Sequence, residues 1–380
     1  LLRFAPLAWG AEAAPLPPEK QIEGLILKGA RENFEGRWGD AERTFARIPE
    51  VDPAHPAGPF YPVTTAFWRI AADYSDDRYD DFIVSGLEET IRLAEARTER
   101  DAKDAEAYLY RGQALAYLGR LKAQKGDYFE GGSKAEEGRA DLEKALALRP
   151  ADAEAKFPLG AYNFYASLLP AALRFFDWLW FIPQGDADLG LRMLEACLRE
   201  CAVNRLGAEY VLFDIYAKHA VGTQERALEI GRSLRRRFPD NAIFHVDLAR
   251  LLLAMGRNAE AILETVRIQA KVLRGARTYD ESVDNIALLV RARGQLQLGE
   301  PEAAEATLAR FSEDGPHRPG WLHAWVLVTR AQALDARGKR AEAVLLYERV
   351  ADMDEPRRDV QAAMAAEAYL ERRYKVSPPK

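Results

Sequence analysis

Residues 324–356, AWVLVTRAQALDARGKRAEAVLLYERVADMDEP, contain the pattern that decides the fold. Ala331 falls within a first apolar helical run, Gly338 follows in a short turn, and Ala343 and Tyr347 fall within a second run. Two antiparallel helices approach closely only where small side chains face each other, and larger side chains then fill the adjoining groove. The spacing therefore predicts a helical hairpin that packs through Ala331 and Ala343.

The same arrangement of small residues, turn glycine and apolar residues recurs along the chain. The matching sets are Ala249, Gly256 and Ala261; Ala292, Gly299, Ala304 and Leu308; Gly29, Ala41, Phe45 and Pro53; and Ala227, Leu234 and Pro239. Residues 107–121 and 138–155 form a further pair that is too widely spaced for a standard hairpin, so we expect elongated helices there. Period-two strand patterns are absent. Repetition of this kind predicts an all-α solenoid of antiparallel hairpins.

This pattern resembles the tetratricopeptide-repeat (TPR) family from about residue 20 to residue 356. The resemblance implies a TPR-like α-solenoid whose role is binding. We divide the chain into an arm or signal remnant (1–18), an N-terminal half with elongated, aromatic-rich hairpins (19–203), C-terminal repeats (204–356), and a capping helix with its tail (357–380).

Composition and motifs favour binding over catalysis. The net charge of −6 gives no general attraction to phosphate backbones, so we expect no nucleic-acid partner. P-loop, His-Glu-x-x-His and Gly-x-Ser-x-Gly patterns are absent, and none of the five histidines has a second ligand at metal-binding spacing. We therefore predict no catalytic residue, no metal and no cofactor.

The first residues, LLRFAPLAWGAEAAPLPPEK, resemble the end of a bacterial secretory signal. An apolar stretch leads to Ala11-Glu12-Ala13, an Ala-x-Ala cleavage pattern. We expect export to the periplasm; an extended arm that packs on the fold is the alternative.

An aromatic segment interrupts the repeats between Phe157 and Phe181, where nine aromatic residues occur. Pro170, Arg174 and Asp177 make it a poor membrane span, although peripheral membrane association stays open. The segment is either core packing, a groove for a partner protein, or the lining of a cavity for an apolar ligand. The residues that would bind such a ligand are Tyr162, Tyr165, Phe176, Trp178 and Trp180.

This segment carries a narrower resemblance. Gly160, Asn163, Ser167-Leu168-Leu169-Pro170, Gln184-Gly185-Asp186 and Leu189-Gly190-Leu191 are similar to a motif of the yeast inclusion-body clearance protein and its animal TPR relatives. The animal relatives are associated with lipid homeostasis, which implies a link to lipids.

Three smaller features have ordinary structural interpretations. Cys197 and Cys201 would share a helix face as two buried small side chains, with a disulfide as the alternative. The acidic run at 73–81 is a solvated helix–helix turn, because it lacks the glycine and glutamate of a calcium loop. The basic cluster Arg232, Arg235, Arg236 and Arg237 complements a helix C-terminus, with a carboxylate or phosphate site as the alternative.

The leading hypothesis is a non-enzymatic scaffold or adaptor that binds a protein or peptide partner. The alternative is a carrier that holds an apolar small molecule, such as a lipid, in an aromatic-lined cavity.

Overall fold

The computed structural model describes residues 16–73, 76–168, 185–312, 317–353 and 359–375. Within these ranges the chain forms eighteen helices and no strand. The helices are α1 (Pro18–Phe34), α2 (Trp38–Phe45), α3 (Ile48–Val51), α4 (Ala57–Arg69), α5 (Asp80–Arg100), α6 (Ala105–Gln124), α7 (Tyr128–Leu148), α8 (Lys156–Ser167), α9 (Ala187–Glu200), α10 (Arg205–Lys218), α11 (Gln224–Arg237), α12 (Ala242–Ala254), α13 (Asn258–Leu273), α14 (Glu281–Gln297), α15 (Pro301–Leu308), α16 (Leu322–Ala336), α17 (Arg340–Ala351) and α18 (Val360–Glu371).

Consecutive helices pack in pairs, and the first helix of each pair also contacts the first helix of the next. The first helices α12, α14 and α16 touch in this order, while α13, α15 and α17 are their hairpin partners. Ala331, Ala343 and Tyr347 are completely buried at the last of these hairpins, as their spacing predicted. The predicted all-α solenoid of TPR-like hairpins is confirmed.

Glycine ends the first helix of several hairpins for a conformational reason. Gly256, Gly299 and Gly338 have φ values of 73°, 81° and 84°. This left-handed region is costly for residues with a Cβ atom, so glycine allows the chain to reverse within a short turn.

The α6–α7 hairpin has the elongated arms that the sequence predicted, with helices of 20 and 21 residues. Gly112 and Gly119 on α6 face Gly138 and Gly131 on α7. A Cβ atom at Gly119 would lie 2.6 Å from the carbonyl oxygen of Gly131. The two backbones are therefore in direct contact along their length.

The N-terminal hairpin docks on the middle of the chain. The Phe34 ring lies 5.0 Å from Trp68 and 5.7 Å from Phe244, measured between ring centroids. Trp68, at the end of α4, also lies 5.5 Å from Tyr210 of α10. An ion pair of 3.5 Å joins Arg277 to Asp40. The solenoid thus curves until α1 and α4 meet α10 and α12.

The expectation of two unbonded cysteines is wrong. Cys197, in the last turn of α9, and Cys201, its C-terminal capping residue, are both buried but form a disulfide. Four residues apart at a helix end, their Cα atoms lie 4.7 Å from each other, which is within disulfide reach.

The two charged runs occupy the predicted positions. Asp76 accepts a hydrogen bond from Arg78 in the connection between α4 and α5, and Asp80 pairs with Lys125 at 2.6 Å. The cluster of arginines ends α11. No helix in the described ranges has the length and apolarity to cross a bilayer.

Candidate inner groove

The inner side of the solenoid is identified by contacts that reach across a helix. Arg250 of α12 places its guanidinium 5.4 Å from the ring centroid of Trp321, the residue before α16. Helix α14 packs against both α12 and α16. Arg250 and Trp321 therefore meet across α14, on the side of α12 where Asp247 bonds Tyr210, the residue that Trp68 of the N-terminal region contacts. We call this surface the inner groove; it comprises Tyr210, Asp214, Asp247, Arg250, Arg293, Trp321, Trp325 and Tyr374.

Two arginines form the basic part of the inner groove. Arg293 of α14 stacks on Trp325 at 4.8 Å, as Arg250 does on Trp321. Burial and the neighbouring charge of Arg250 lower the pKa of Arg293. Among the described residues, neither arginine has a carboxylate within ion-pair distance. Each guanidinium therefore contacts a tryptophan ring in place of a directly paired carboxylate, with Asp247 as a more distant negative charge near Arg250. Both arginines can bind an incoming anion.

The other part of the inner groove carries acids paired with tyrosines. The Tyr210 hydroxyl donates to Asp247 at 2.8 Å, and the Tyr165 hydroxyl donates to Asp214 at 3.0 Å. Asp214 also pairs with Lys218. Burial raises the pKa of Asp247 despite the nearby charge of Arg250.

A buried carboxylate anchors the C-terminal segment at the basic end. Asp335 is completely buried and accepts hydrogen bonds from the backbone N–H of Tyr374 at 3.1 Å and from Arg340 at 2.8 Å. The Tyr374 ring then packs 5.5 Å from Tyr369. Both tyrosines lie close enough to Arg293 to interact with its charge.

The residues predicted to bind an apolar ligand are only partly within the described chain. Tyr162 and Tyr165 both lie on α8, but they contact different neighbours. The Tyr162 hydroxyl donates to Glu136 of α7 at 2.9 Å, and burial together with this carboxylate raises the pKa of Tyr162. Tyr165 instead reaches α10. Phe176, Trp178 and Trp180 lie outside the described residues, as does the Ala-x-Ala segment.

Sequence reasoning missed Arg250 and Arg293. Each directly follows the small alanine of its first helix, Ala249 or Ala292, so both occupy the same position of successive repeats. This shared register was the signal that could have found them. In the described residues, no cluster of three metal-ligating side chains occurs.

A cavity with a volume of about 470 Å³ lies where the N-terminal hairpin docks. Its arginines are engaged: Arg37 pairs with Glu35 at 2.8 Å, Arg237 with Glu209 at 2.5 Å, and Arg277 with Asp40. We interpret this cavity as part of the docking contact.

No protein-family model matches the sequence, and no curated protein matches it. Solved structures with a similar course include yeast Tom70, at 13% identity and a TM-score of 0.43 over 91% of this chain and 81% of that one. A tetratricopeptide repeat protein from Parabacteroides merdae has 16% identity and a TM-score of 0.36 over 81% of this chain and 99% of that one. The structure titled human IFIT1 dimer with PPP-AAAA has 14% identity and a TM-score of 0.40 over 88% of this chain and 72% of that one. At these scores the likenesses carry no argument about ligand or partner.

Proposed function

We propose that the protein is a non-enzymatic scaffold or adaptor that holds an extended acidic segment of a partner protein in the inner groove. The observation that supports this is the pair Arg250 and Arg293. Two arginines that are stacked on tryptophans and lack carboxylate partners in the described chain are suited to binding carboxylates. Tryptophan and arginine are also the residues that most often dominate binding energy in protein interfaces.

The surroundings of the described tyrosines favour this proposal over a lipid carrier. Tyr162 and Tyr165 both direct their hydroxyls to carboxylates, so their environment is polar. An apolar ligand would need a lining with few polar groups. A relationship to the inclusion-body clearance protein and its relatives is proposed on the sequence motif alone.

Export to the bacterial periplasm is a second part of the proposal. The Ala-x-Ala pattern supports it, and the disulfide between Cys197 and Cys201 is consistent with it, because disulfides persist mainly in oxidising compartments. Fractionation of the native host would test it: mature protein in the periplasmic fraction supports export, and uncleaved protein in the cytosol contradicts it.

Peptide selection tests the inner groove directly. A displayed library of random peptides is selected on the wild-type chain and counter-selected on Arg250→Glu/Arg293→Glu. We expect enriched peptides to contain Asp or Glu, to lose affinity at high salt, and to bind the double variant at least about tenfold more weakly. Arg31→Glu/Arg92→Glu, which changes two exposed arginines on α1 and α5, serves as the charge-matched control. Peptides without acidic enrichment, or equal binding to the double variant, would contradict the proposal.

A further inference from the structure

The basic cluster at the end of α11 lines a second cavity that the proposed function does not use. This cavity has a volume of about 300 Å³ and lies between α11 and α13. Its floor is formed by Leu248 and Leu252 of α12. By helical periodicity these leucines lie on the opposite side of α12 from Asp247 and Arg250. The cavity is therefore separate from the inner groove.

The rim of this cavity carries an excess of positive charge. Arg232, Arg235 and Arg236 of α11 and Arg267 of α13 line it, against only two carboxylates, Glu260 and Glu264. The lining therefore has two more cations than anions.

The two glutamates pair with three of the four arginines and leave one without an ion-pair partner. Glu260 pairs with Arg232 at 2.8 Å, while Glu264 lies 3.3 Å from Arg235 and also pairs with Arg267. Arg236 is exposed at the cavity and has no ion-pair partner among the described residues. An anion in the cavity can therefore pair with Arg236 without displacing a carboxylate.

A buried network fixes Glu264 in place beneath the rim. The His245 ring is only 2% exposed, and its Nε2 lies 2.7 Å from Glu264 Oε2, while its Nδ1 lies 3.2 Å from the Tyr279 hydroxyl. Burial opposes the charged form of His245 and lowers its pKa. A neutral ring donates from Nε2 to Glu264, and its Nδ1 shares the proton of the Tyr279 hydroxyl with the Pro239 carbonyl oxygen, which lies 3.1 Å from that hydroxyl. Glu264 is thus held to orient Arg235 and Arg267 toward the cavity.

The apolar part of the cavity indicates that its ligand also carries a hydrocarbon chain. Leu248 and Leu252 are each 2% exposed and form a closed floor, whereas Leu263 of α13 is 48% exposed at the edge. Beside it on α13, Val266 is 49% exposed. An inorganic anion would leave this apolar surface in water, whereas a short hydrocarbon chain would cover it.

We propose that this cavity binds a small amphiphilic anion, a carboxylate or phosphate on a short apolar chain. The anion lies between Arg236 and Arg267, with Arg235 and Arg232 beside it. The chain lies on Leu252 and Leu263. The volume is at the lower end of that of small-molecule sites, which limits the ligand to a short chain.

Calorimetric titration of the full chain tests this site with defined probes. Octanoate and octyl phosphate are the two candidate head groups; acetate and inorganic phosphate lack the chain, and octyltrimethylammonium has the opposite charge. We expect saturable one-site binding of octanoate or octyl phosphate, at least about tenfold weaker binding of the short anions, and none of the cation. Which octyl anion binds more tightly identifies the head group. Equal binding of the cation would show non-specific adsorption and overturn the proposal.

Two variants with matched controls locate the binding. Arg236→Gln is expected to weaken octyl-anion binding about tenfold, while Arg226→Gln, on the same helix but outside the cavity, leaves it unchanged. Leu263→Asn should remove the advantage of the octyl chain, and Val221→Asn, at an exposed turn, should not. Arg250→Gln/Arg293→Gln leaves this binding intact, so the test is independent of the inner groove. If Arg236→Gln behaves like Arg226→Gln, the anion does not bind here and the proposal fails.

Discussion

The side-chain amide of Asn241 donates a hydrogen bond of 3.1 Å to the backbone carbonyl of Phe34, 207 residues earlier in the chain. Asn241 also caps α12, because its Oδ1 accepts from the Ile243 N–H at 3.1 Å. One side chain therefore both begins a central helix and holds the N-terminal hairpin against it.

Replacement of Asn241 by Asp separates these two roles. Aspartate keeps an acceptor for the Ile243 N–H but has no donor for the Phe34 carbonyl, and it places two buried acceptors against each other. We expect a loss of about 1–3 kcal/mol in the free energy of unfolding and faster amide exchange in α1. Denaturant unfolding and hydrogen-exchange mass spectrometry measure these effects. The control is Asp359→Asn, which replaces one favourable N-cap residue of α18 by another and should change the free energy of unfolding little. Unaltered exchange in α1 of the Asn241 variant would contradict the docking role.

The α6–α7 contact reverses the usual effect of a glycine-to-alanine change in a helix. Such a change normally stabilises by up to about 1 kcal/mol. Gly24→Ala in α1 should do so, because a Cβ there meets nothing within 4 Å. Gly119→Ala should instead cost about 1–3 kcal/mol, because the added atom would lie 2.6 Å from the Gly131 carbonyl oxygen. Thermal unfolding of both variants measures the contrast, and equal effects would show that the helices can move apart freely.

The hairpins could be predicted because their determinants are local. Ala331, Gly338 and Ala343 lie within one stretch of chain. The two alanines act through close packing of the paired helices, and Gly338 acts through the positive φ of the turn between them. The docking of Phe34 on Asn241 could not be predicted in this way. It depends on the summed curvature of many hairpins, and no short motif encodes that sum.

The inner groove was partly predictable. Its place on the first helices follows from the repeat register, which puts Arg250 and Arg293 directly after equivalent alanines. The absence of carboxylate partners around them is a property of the packed structure. The aromatic excess instead predicted a ligand-binding surface that includes α8, where Tyr162 and Tyr165 donate hydrogen bonds to Glu136 and Asp214.

The disulfide between Cys197 and Cys201 should contribute modestly to stability. It closes a loop of only a few residues, and the loss of unfolded-state entropy grows with loop length. We expect Cys197→Ala/Cys201→Ala to lower the free energy of unfolding by about 2 kcal/mol or less. Addition of a reductant to the wild type should lower its free energy of unfolding by a similar amount. Denaturant unfolding with and without reductant measures both. A loss above about 4 kcal/mol would mean that the bond also fixes the packing of α9 against its neighbours.

Asp247 gives the inner groove a pH-dependent effect on stability. Burial raises its pKa in the folded state, so the unfolded chain loses this proton at lower pH than the folded chain. The protonated Asp247 therefore stabilises the folded state relative to the ionised form. This stabilisation is fully present below the pKa of Asp247 in the unfolded chain and is lost as the pH rises through its pKa in the folded chain.

Asp247→Asn keeps an acceptor for the Tyr210 hydroxyl and removes the charge. We therefore expect the variant to have a higher Tm than the wild type at pH 7, with the difference shrinking as the pH falls toward the range where Asp247 is protonated. The exposed Glu99→Gln change on α5 controls for net charge. A variant less stable than the wild type at pH 7 would mean that the Asp247 carboxylate stabilises Arg250 by more than its own burial costs.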